Sequence, residues 1–473
     1  MSKILFLNPP LPLEELYGKL AEGGSELPPL GIAILAAVTR DNGYKTKILD
    51  AAALKLNYEQ TVNEILKENP NYLAITSVTI SIFNAAKIAK LIKEKNPNII
   101  TIIGGPHLTA VPEETMEKFS EFDIGVIGEA EETIVELLNN LDKNKNLNNI
   151  KGLIIRNKKK LKITPARLFI KDLDKLPFPA WDLLPDLLKY YQPAADSLNR
   201  SPATLLITSR GCPGQCIFCD RKVFGNLIRG YSARYVIDMI KYLQKNYGIK
   251  DLFIEDDNFL VFKKRTKEIC ELIINEKIDI TFSIMGRVDV IDAEILNLLK
   301  KAGCWQINYG LESGSQKILD LLKKGTTVEQ NKNAILLTKK AGIKVKGLFM
   351  IGNFGETRET IKETLDFIRK IPIDDFHITC YTPLPGADAW YLAPNYGEFD
   401  SDWKKVSMFK CDNFVPNGFT KKELEKYYKK AWKTFYLRPR IIIYYTKKLR
   451  DKQMRKKIIN GGLAFFKFLT NAN

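Results

Sequence analysis

The segment Arg210-Gly211-Cys212-Pro213-Gly214-Gln215-Cys216-Ile217-Phe218-Cys219-Asp220 sets three cysteines at C-x3-C-x2-C spacing, directly after a short apolar run at Leu205–Ser209. Structural metal sites usually saturate their ion with four ligands, whereas a reactive site keeps one position open. Three thiols this close together point to a metal centre with an open position rather than to a closed zinc knuckle. The remaining cysteines, Cys270, Cys304, Cys380 and Cys411, are scattered singly and read as core or incidental thiols. Seven cysteines in 473 residues, with no charged-then-apolar leader, argue against a secreted disulfide framework and for a reducing cytoplasm.

Strand and helix signals alternate on both sides of this segment. Downstream, strands are expected at Leu205–Ser209, Asp251–Glu255, Thr281–Met285, Gln306–Leu311, Lys346–Ile351 and His377–Thr382. Six βα units over residues 201–395 predict a partial (β/α)6 barrel, with chemistry at the carboxyl ends of its strands. Upstream, residues 1–145 carry strands at Lys3–Leu7, Lys45–Leu49, Tyr72–Thr76, Ile99–Ile103 and Ile124–Ile127, separated by helical patterns. That alternation predicts a Rossmann-like α/β domain, a parallel sheet wrapped by helices. Its strand ends, where ligands of open sheets bind, carry Asn8-Pro-Pro, Thr76-Ser-Val-Thr, Gly104-Gly-Pro-His and Gly128-Glu-Ala-Glu. Neither a G-x-G-x-x-G turn nor a phosphate P-loop is present, which sets aside a nicotinamide or nucleotide site. Residues 146–200, with a basic hairpin near Asn157 and a Pro-rich run from Leu176, read as a connector, and residues 396–473 as a basic helical C-terminal region.

Composition is that of a soluble globular chain, 45% apolar and 27% charged, yet the formal charge is +17. From Lys421 to Asn473 sixteen Lys and Arg stand against three acids, a net +13, so the first 420 residues carry only +4. No run approaches the ~18 apolar residues of a membrane span. The stretch from Trp432 to Lys448 interleaves aromatics, aliphatics and cations, a composition suited to an anionic membrane surface at residues 421–473 or to a solvated helical cap. Nucleic acid is the weaker reading of the same charge.

The cysteine spacing, in its place after the first barrel strand, resembles the radical S-adenosylmethionine (SAM) superfamily. The resemblance implies a 4Fe-4S cluster on Cys212, Cys216 and Cys219, whose open iron takes the amino and carboxylate groups of SAM. It implies SAM contacts from further strand ends. Phe218 would lie against the adenine, Asp256 and Asp257 in Glu255-Asp-Asp-Asn258 would meet the ammonium, and Arg287 would pair with the carboxylate. Glu312 and Ser313 would line the sugar, and Gly352 would lie near the adenine.

The first domain, fused ahead of such a barrel, is similar to cobalamin-binding domains. The resemblance rests on Ser77-Val-Thr79 after a middle strand and Gly104-Gly105 after the next, where glycine lets the backbone approach a buried nucleotide tail. It implies cobalamin contacts from Asn8, Ser77, Thr79, Gly104, Gly105, His107, Gly128 and Glu129. The D-x-H-x-x-G element of such domains is missing: the chain reads Asn8-Pro9-Pro10, so cobalamin binds without that histidine or not at all. His107 reads as a hydrogen-bonding loop residue rather than an axial ligand. Together the domains imply a cobalamin-dependent radical SAM methyltransferase of the hopanoid methylase or anaerobic magnesium-protoporphyrin ester cyclase type. Its expected partners are SAM, an electron donor such as flavodoxin or ferredoxin, and a hydrophobic or lipid-like substrate, in the cytoplasm or at the inner membrane face. Radical SAM oxidation, cyclisation or RNA modification with a first domain that no longer binds cobalamin stays open.

Overall fold

The computed structural model describes residues 2–470 other than 159, 192, 195, 196 and 451. Its first sheet contains β1 (Lys3–Asn8), β2 (Lys45–Asp50), β3 (Tyr72–Thr76), β4 (Ile100–Gly104), β5 (Ile124–Val126), β6 (Leu153–Asn157) and β7 (Lys160–Ile163), in the order β2-β1-β3-β4-β5-β6-β7. The first five strands are parallel, as expected from sequence. One apolar layer packs Ile88 and Ile92 of helix Ile82–Lys95 on one face of the sheet, and another packs Ala36 and Leu137 of helices Leu30–Asp41 and Glu131–Asp142 on the other. Burying each such large aliphatic side chain contributes roughly 1.5–3 kcal/mol. Helix Tyr58–Glu68 begins where Asn57 and Gln60 exchange side-chain-to-backbone hydrogen bonds, a capping box that satisfies two otherwise orphaned donors.

The basic hairpin assigned to the connector belongs to this sheet instead. β6 pairs antiparallel with β5, and β7 with β6. Leu153 and Ile154 are buried while Lys160 and Lys162 face solvent, so the lysines cover an edge that would otherwise invite pairing. The charge run looked like a linker because its apolar half lies on the partner strand.

The second sheet starts with β8 (Ala203–Leu206). A short ribbon of β9 (Ser209–Arg210) and β10 (Arg229–Gly230) follows, with the whole cysteine segment in the loop between them. The sheet continues through β11 (Asp251–Ile254), β12 (Thr281–Gly286), β13 (Cys304–Glu312), β14 (Lys344–Ile351) and β15 (Asp375–Cys380). The order is β15-β14-β13-β12-β11-β8, all parallel and all in chain sequence, which is the predicted six-stranded partial barrel.

Helix Lys421–Tyr436 covers the open β15 edge: Phe435 stacks on Phe376 at 5.1 Å and Trp432 meets the same ring at 5.7 Å. Helices Pro439–Lys448 and Lys452–Thr470 follow, the last touching the turn Gly18–Gly23 of the first domain. No helix among the described residues is long and apolar enough to cross a membrane. Cys270 and Cys304 are buried thiols, but Cys380 and Cys411 form a disulfide, a pairing that two singly placed residues could not disclose.

Buried charge joins the two sheets. Arg210 of β9 donates to Glu129 at 3.1 Å and Glu131 at 2.6 Å, both just past β5, and Arg229 of β10 pairs with Glu129 at 2.7 Å. Glu129 also accepts from the Ile170 amide at 2.9 Å. Glu129 was expected at cobalamin; its oxygens are instead engaged by the second domain. Removing one partner from such a cluster leaves carboxylates buried without compensation, so Arg210→Met is expected to cost about 3–5 kcal/mol. Urea unfolding checks this, with Arg200→Ala, which breaks a solvent-exposed pair to Asp279, expected to shift the midpoint only slightly.

Candidate functional site

The cysteine loop is anchored at several points. Cys212 N donates to Gly225 O at 3.4 Å, Ile217 N to Leu322 O at 3.1 Å, and Ala389 N to Ile217 O at 2.9 Å. Gly211 has φ +88°, and a Cβ there would stand 2.3 Å from Leu227 O, so only glycine lets the chain turn into Cys212. A Cβ on Gly214 would lie 3.4 Å from Cys212 Sγ and 3.9 Å from Cys216 Sγ, so both sulfurs flank this bare position. The Cys219 thiol hydrogen-bonds Cys216. Two sulfurs thus flank the Gly214 position and the third joins through Cys216, and three thiols carried by one loop fit a cluster held by one thiolate per iron. The Cys216 thiol is pulled down to about 6, first by the Cys219 hydrogen bond and then by the Lys324 and Arg287 charges. The same hydrogen bond, with burial, pushes Cys219 up.

Among the residues expected at SAM, three converge here. Arg287 lies in a fork with Asp289 at 3.1 and 2.9 Å and donates to Lys324 O at 3.0 Å, while its Nη1 faces the Gly214 position at 3.4 Å. Glu312 holds Lys324 Nζ at 2.7 Å, and that ammonium is 5.9 Å from the Phe218 ring centre. Glu312 has φ +58° at an irregularity in the β13–β14 pairing, which re-aims its carboxylate. A Cβ on Gly310 would stand 2.5 Å from Glu312 Oε1 and 2.9 Å from Lys324 Nζ, so glycine makes room for the pair.

The acidic run after β11 divides its labour. Asp256 accepts from Thr208 N and Oγ1 at 2.5 and 2.6 Å and from Ser209 N and Oγ at 3.0 and 2.6 Å. It was expected at the SAM ammonium, but four donors engage it as a clamp beneath the cysteine loop. Asp257 accepts from Gly211 N at 3.1 Å and is solvent-exposed. Glu255, accessible yet walled by protein, has its carboxyl pushed up to about 7 by burial and by the neighbouring Asp257 charge. Two more positions expected at SAM have partners within the chain. Ser313 Oγ is engaged by Thr364 at 2.9 Å and by the Ser315 amide at 3.1 Å. Gly352, with φ +83°, has Leu424 of helix Lys421–Tyr436 2.9 Å from where its Cβ would be, so packing there requires glycine.

In the first domain, Gly105 has φ +94°, and a Cβ there would stand 2.8 Å from Ser77 O. Beside it Thr79 Oγ1 bonds His107 Nδ1 at 3.0 Å, and the ring packs edge-on to Trp403 at 4.5 Å. Burial, then the Lys118 charge, pushes His107 down to about 3, so it is neutral. Ser77 Oγ and His107 Nε2 are buried without a partner, Gly128 has φ +79° with nothing within 4 Å of its Cβ position, and Gly104 is nearly as open. Unmet polar atoms beside bare backbone fit a polar ligand tail entering at this sheet end. Asn8 is turned elsewhere, donating to Asp50 Oδ1 at 2.8 Å, while Tyr191 of the connector donates to Asp50 Oδ2 at 2.8 Å.

The elements that carry the two sites touch. Lys222, three residues past Cys219, donates to Ala110 O at 2.8 Å, and a Cβ on Gly386 would stand 2.6 Å from Ala110 Cβ; Ala110 ends the short helix Pro106–Ala110 that carries His107. Sequence reading missed Lys324, Asp289 and Arg210. Lys324 is one of 72 basic residues, and only the Gly310 and Glu312 geometry singles it out.

The radical SAM superfamily model matches residues 206–368, and a B12 binding domain model matches residues 19–138. An uncharacterized methyltransferase of Pyrococcus horikoshii is 35% identical over 94% of both chains. The anaerobic magnesium-protoporphyrin IX monomethyl ester cyclase of Rubrivivax gelatinosus is 30% identical over 98% of this chain and 82% of its own. The fold is also that of OxsB, a cobalamin-dependent SAM radical enzyme solved with aqua-cobalamin and SAM, with a TM-score of 0.76, 19% identity, and coverage of 98% of this chain and 72% of that one. The cofactors this domain pair implies are a 4Fe-4S cluster, SAM and cobalamin. The chain belongs to the radical SAM superfamily, in the cobalamin-dependent group of methyltransferases and related cyclases whose B12-binding domain precedes the radical SAM domain.

Proposed function

We propose that this protein transfers a methyl group to an unactivated carbon. The observation that carries the reading is the apposition of the three-thiol loop to the open Gly104–His107 end of the first sheet. When bound, the cluster and SAM supply one-electron cleavage of SAM, and cobalamin supplies a methyl carrier. The chain's own part is placement. Cys212, Cys216 and Cys219 hold iron; Arg287 and Asp257 face the carboxylate and ammonium of SAM; Phe218 walls the adenine. Gly104 and Gly128 let backbone approach the cobalamin tail, with Ser77 and Thr79 as polar contacts beside it. His107, bonded to Thr79 and capped by Trp403, would act as a fixed neutral loop residue beside the cobalamin rather than as its ligand. Reaction geometry then depends on holding the reactants within ~3–3.5 Å and excluding water. Cyclisation is the second reading, favoured by the 30% identical cyclase.

The domain limits follow the sequence reading except that the cobalamin-binding unit takes in the hairpin β6–β7. Electrons come from a flavodoxin- or ferredoxin-type donor. The substrate is hydrophobic, and the enzyme docks peripherally at the inner membrane face through its last helices. Leu437, Ile442, Ile443, Ile459, Leu463 and Phe466 are exposed there, in a segment rich in lysine and arginine.

Anaerobically reconstituted protein with SAM and a reductant is expected to release 5′-deoxyadenosine, and Cys212→Ala or Cys216→Ala to abolish it; persistence in the variants would defeat the assignment. Absorbance of protein from a cobalamin-fed host is expected to show bound corrinoid, greatly reduced in Gly105→Val. Flotation with anionic liposomes is expected for the full chain at low salt and lost in Leu463→Asp/Phe466→Asp; equal flotation of both would remove the membrane reading.

A further inference from the structure

Lys324 and Glu312 form an ion pair beneath the cysteine loop that is almost fully enclosed, with side chains 9% and 10% exposed. The ammonium lies 5.9 Å from the centre of the Phe218 ring, and Phe218 stands between Cys216 and Cys219 in the cysteine loop. Glu312 is held in place by a left-handed backbone at φ +58° and by the missing side chain of Gly310, whose Cβ would collide with both charges. Arg287 fixes the other side by donating to Lys324 O at 3.0 Å. So much local structure for one ion pair is unexpected if it serves stability alone, because a buried pair seldom improves on apolar packing.

We propose that Lys324 and Glu312 act as an oriented charge pair that sets the reduction potential of the iron–sulfur cluster, with Glu312 the positioning residue that holds the ammonium toward the cysteine loop. Taking up an electron adds negative charge to a cluster that already carries three thiolates. A cation held close in a low-dielectric setting favours that reduced state, and an anion opposes it. The proposal rests on the reading that Cys212, Cys216 and Cys219 bind the cluster.

The test is an EPR-monitored redox titration of anaerobically reconstituted full-length protein without SAM, with iron and sulfide measured in each variant. Lys324→Gln, which leaves Glu312 unopposed, is expected to move the midpoint to more negative potential. Glu312→Gln, which leaves the ammonium unopposed, is expected to move it to more positive potential, and Lys324→Arg to stay near the parent. General damage to the site would not move the two partners in opposite directions. If Lys324→Gln takes up no iron, the Glu312→Gln and Lys324→Arg midpoints decide. A Glu312→Gln midpoint that is unchanged or lowered overturns the proposal while leaving the cluster assignment intact. Failure of the parent protein to take up iron would overturn both.

Discussion

Arg210 is the point on which the arrangement of both domains depends. It sits two residues before Cys212, its side chain is 3% exposed, and its guanidinium is shared by Glu129 and Glu131 at the end of the first sheet. A guanidinium fork offers several fixed donors and stays charged, so burying it demands opposing acids at defined positions. The same Glu129 accepts from Arg229 on the returning strand of the ribbon. Both strands that bracket the cysteine loop are thereby tied to the end of β5, beside Gly128 and its open backbone. Placement of the thiols relative to the first sheet is a consequence of charge neutralisation, not of the linker between domains.

That constraint also explains which features could be read from sequence. Strand positions were legible because buried parallel strands write continuous apolar runs, and the cysteine loop was legible because metal ligation needs fixed residue types at short spacing. Glycine was legible at Gly105 for a related reason: its φ of +94° and the Ser77 carbonyl 2.8 Å from its Cβ position leave no alternative residue. The acids were much less readable. Glu129, Asp256 and Asp257 all look like loop carboxylates after a strand, yet one bridges domains, one clamps Thr208 and Ser209, and one takes the Gly211 amide at the entry to the cysteine loop. Which task an acid performs is decided by partners 40 or more residues away, and the sequence carries no local mark of them. The packing at Gly352 was unreadable for a similar reason, since the space beside it is filled by Leu424 from a helix that the barrel pattern does not include.

The cationic C-terminal region divides once its packing is known. Tyr428, Trp432 and Phe435 are buried against the barrel, so these three rings of helix Lys421–Tyr436 close the β15 edge and are unavailable to any external surface. Past that helix, exposed apolar side chains run from Leu437 to Phe466. Ile459, Leu463 and Phe466 follow a helical i, i+4, i+7 spacing on one side, while Ala464 and Phe468 face the protein. Sequence alone could not separate a cap from a docking face, because both require aromatics interleaved with lysine.

His107 shows how the first domain reconciles a missing ligand motif with a histidine in the right neighbourhood. A metal-ligating imidazole needs one nitrogen free to approach the metal and the other held by a second partner. His107 has its Nδ1 on Thr79, which meets the second condition, and its Nε2 carries no hydrogen bond from the described residues. Its ring, however, is wedged edge-on to Trp403 at 4.5 Å and buried beneath the Ser77 turn. Trp403 comes from the C-terminal region and seats itself among Phe119 and His107 of the first domain. Swinging the imidazole outward would break that contact, the Thr79 hydrogen bond and the packing of two domains together. The histidine is therefore a fixed part of the wall, and burial keeps it neutral so that the wall brings no charge of its own to the glycine-lined opening beside it.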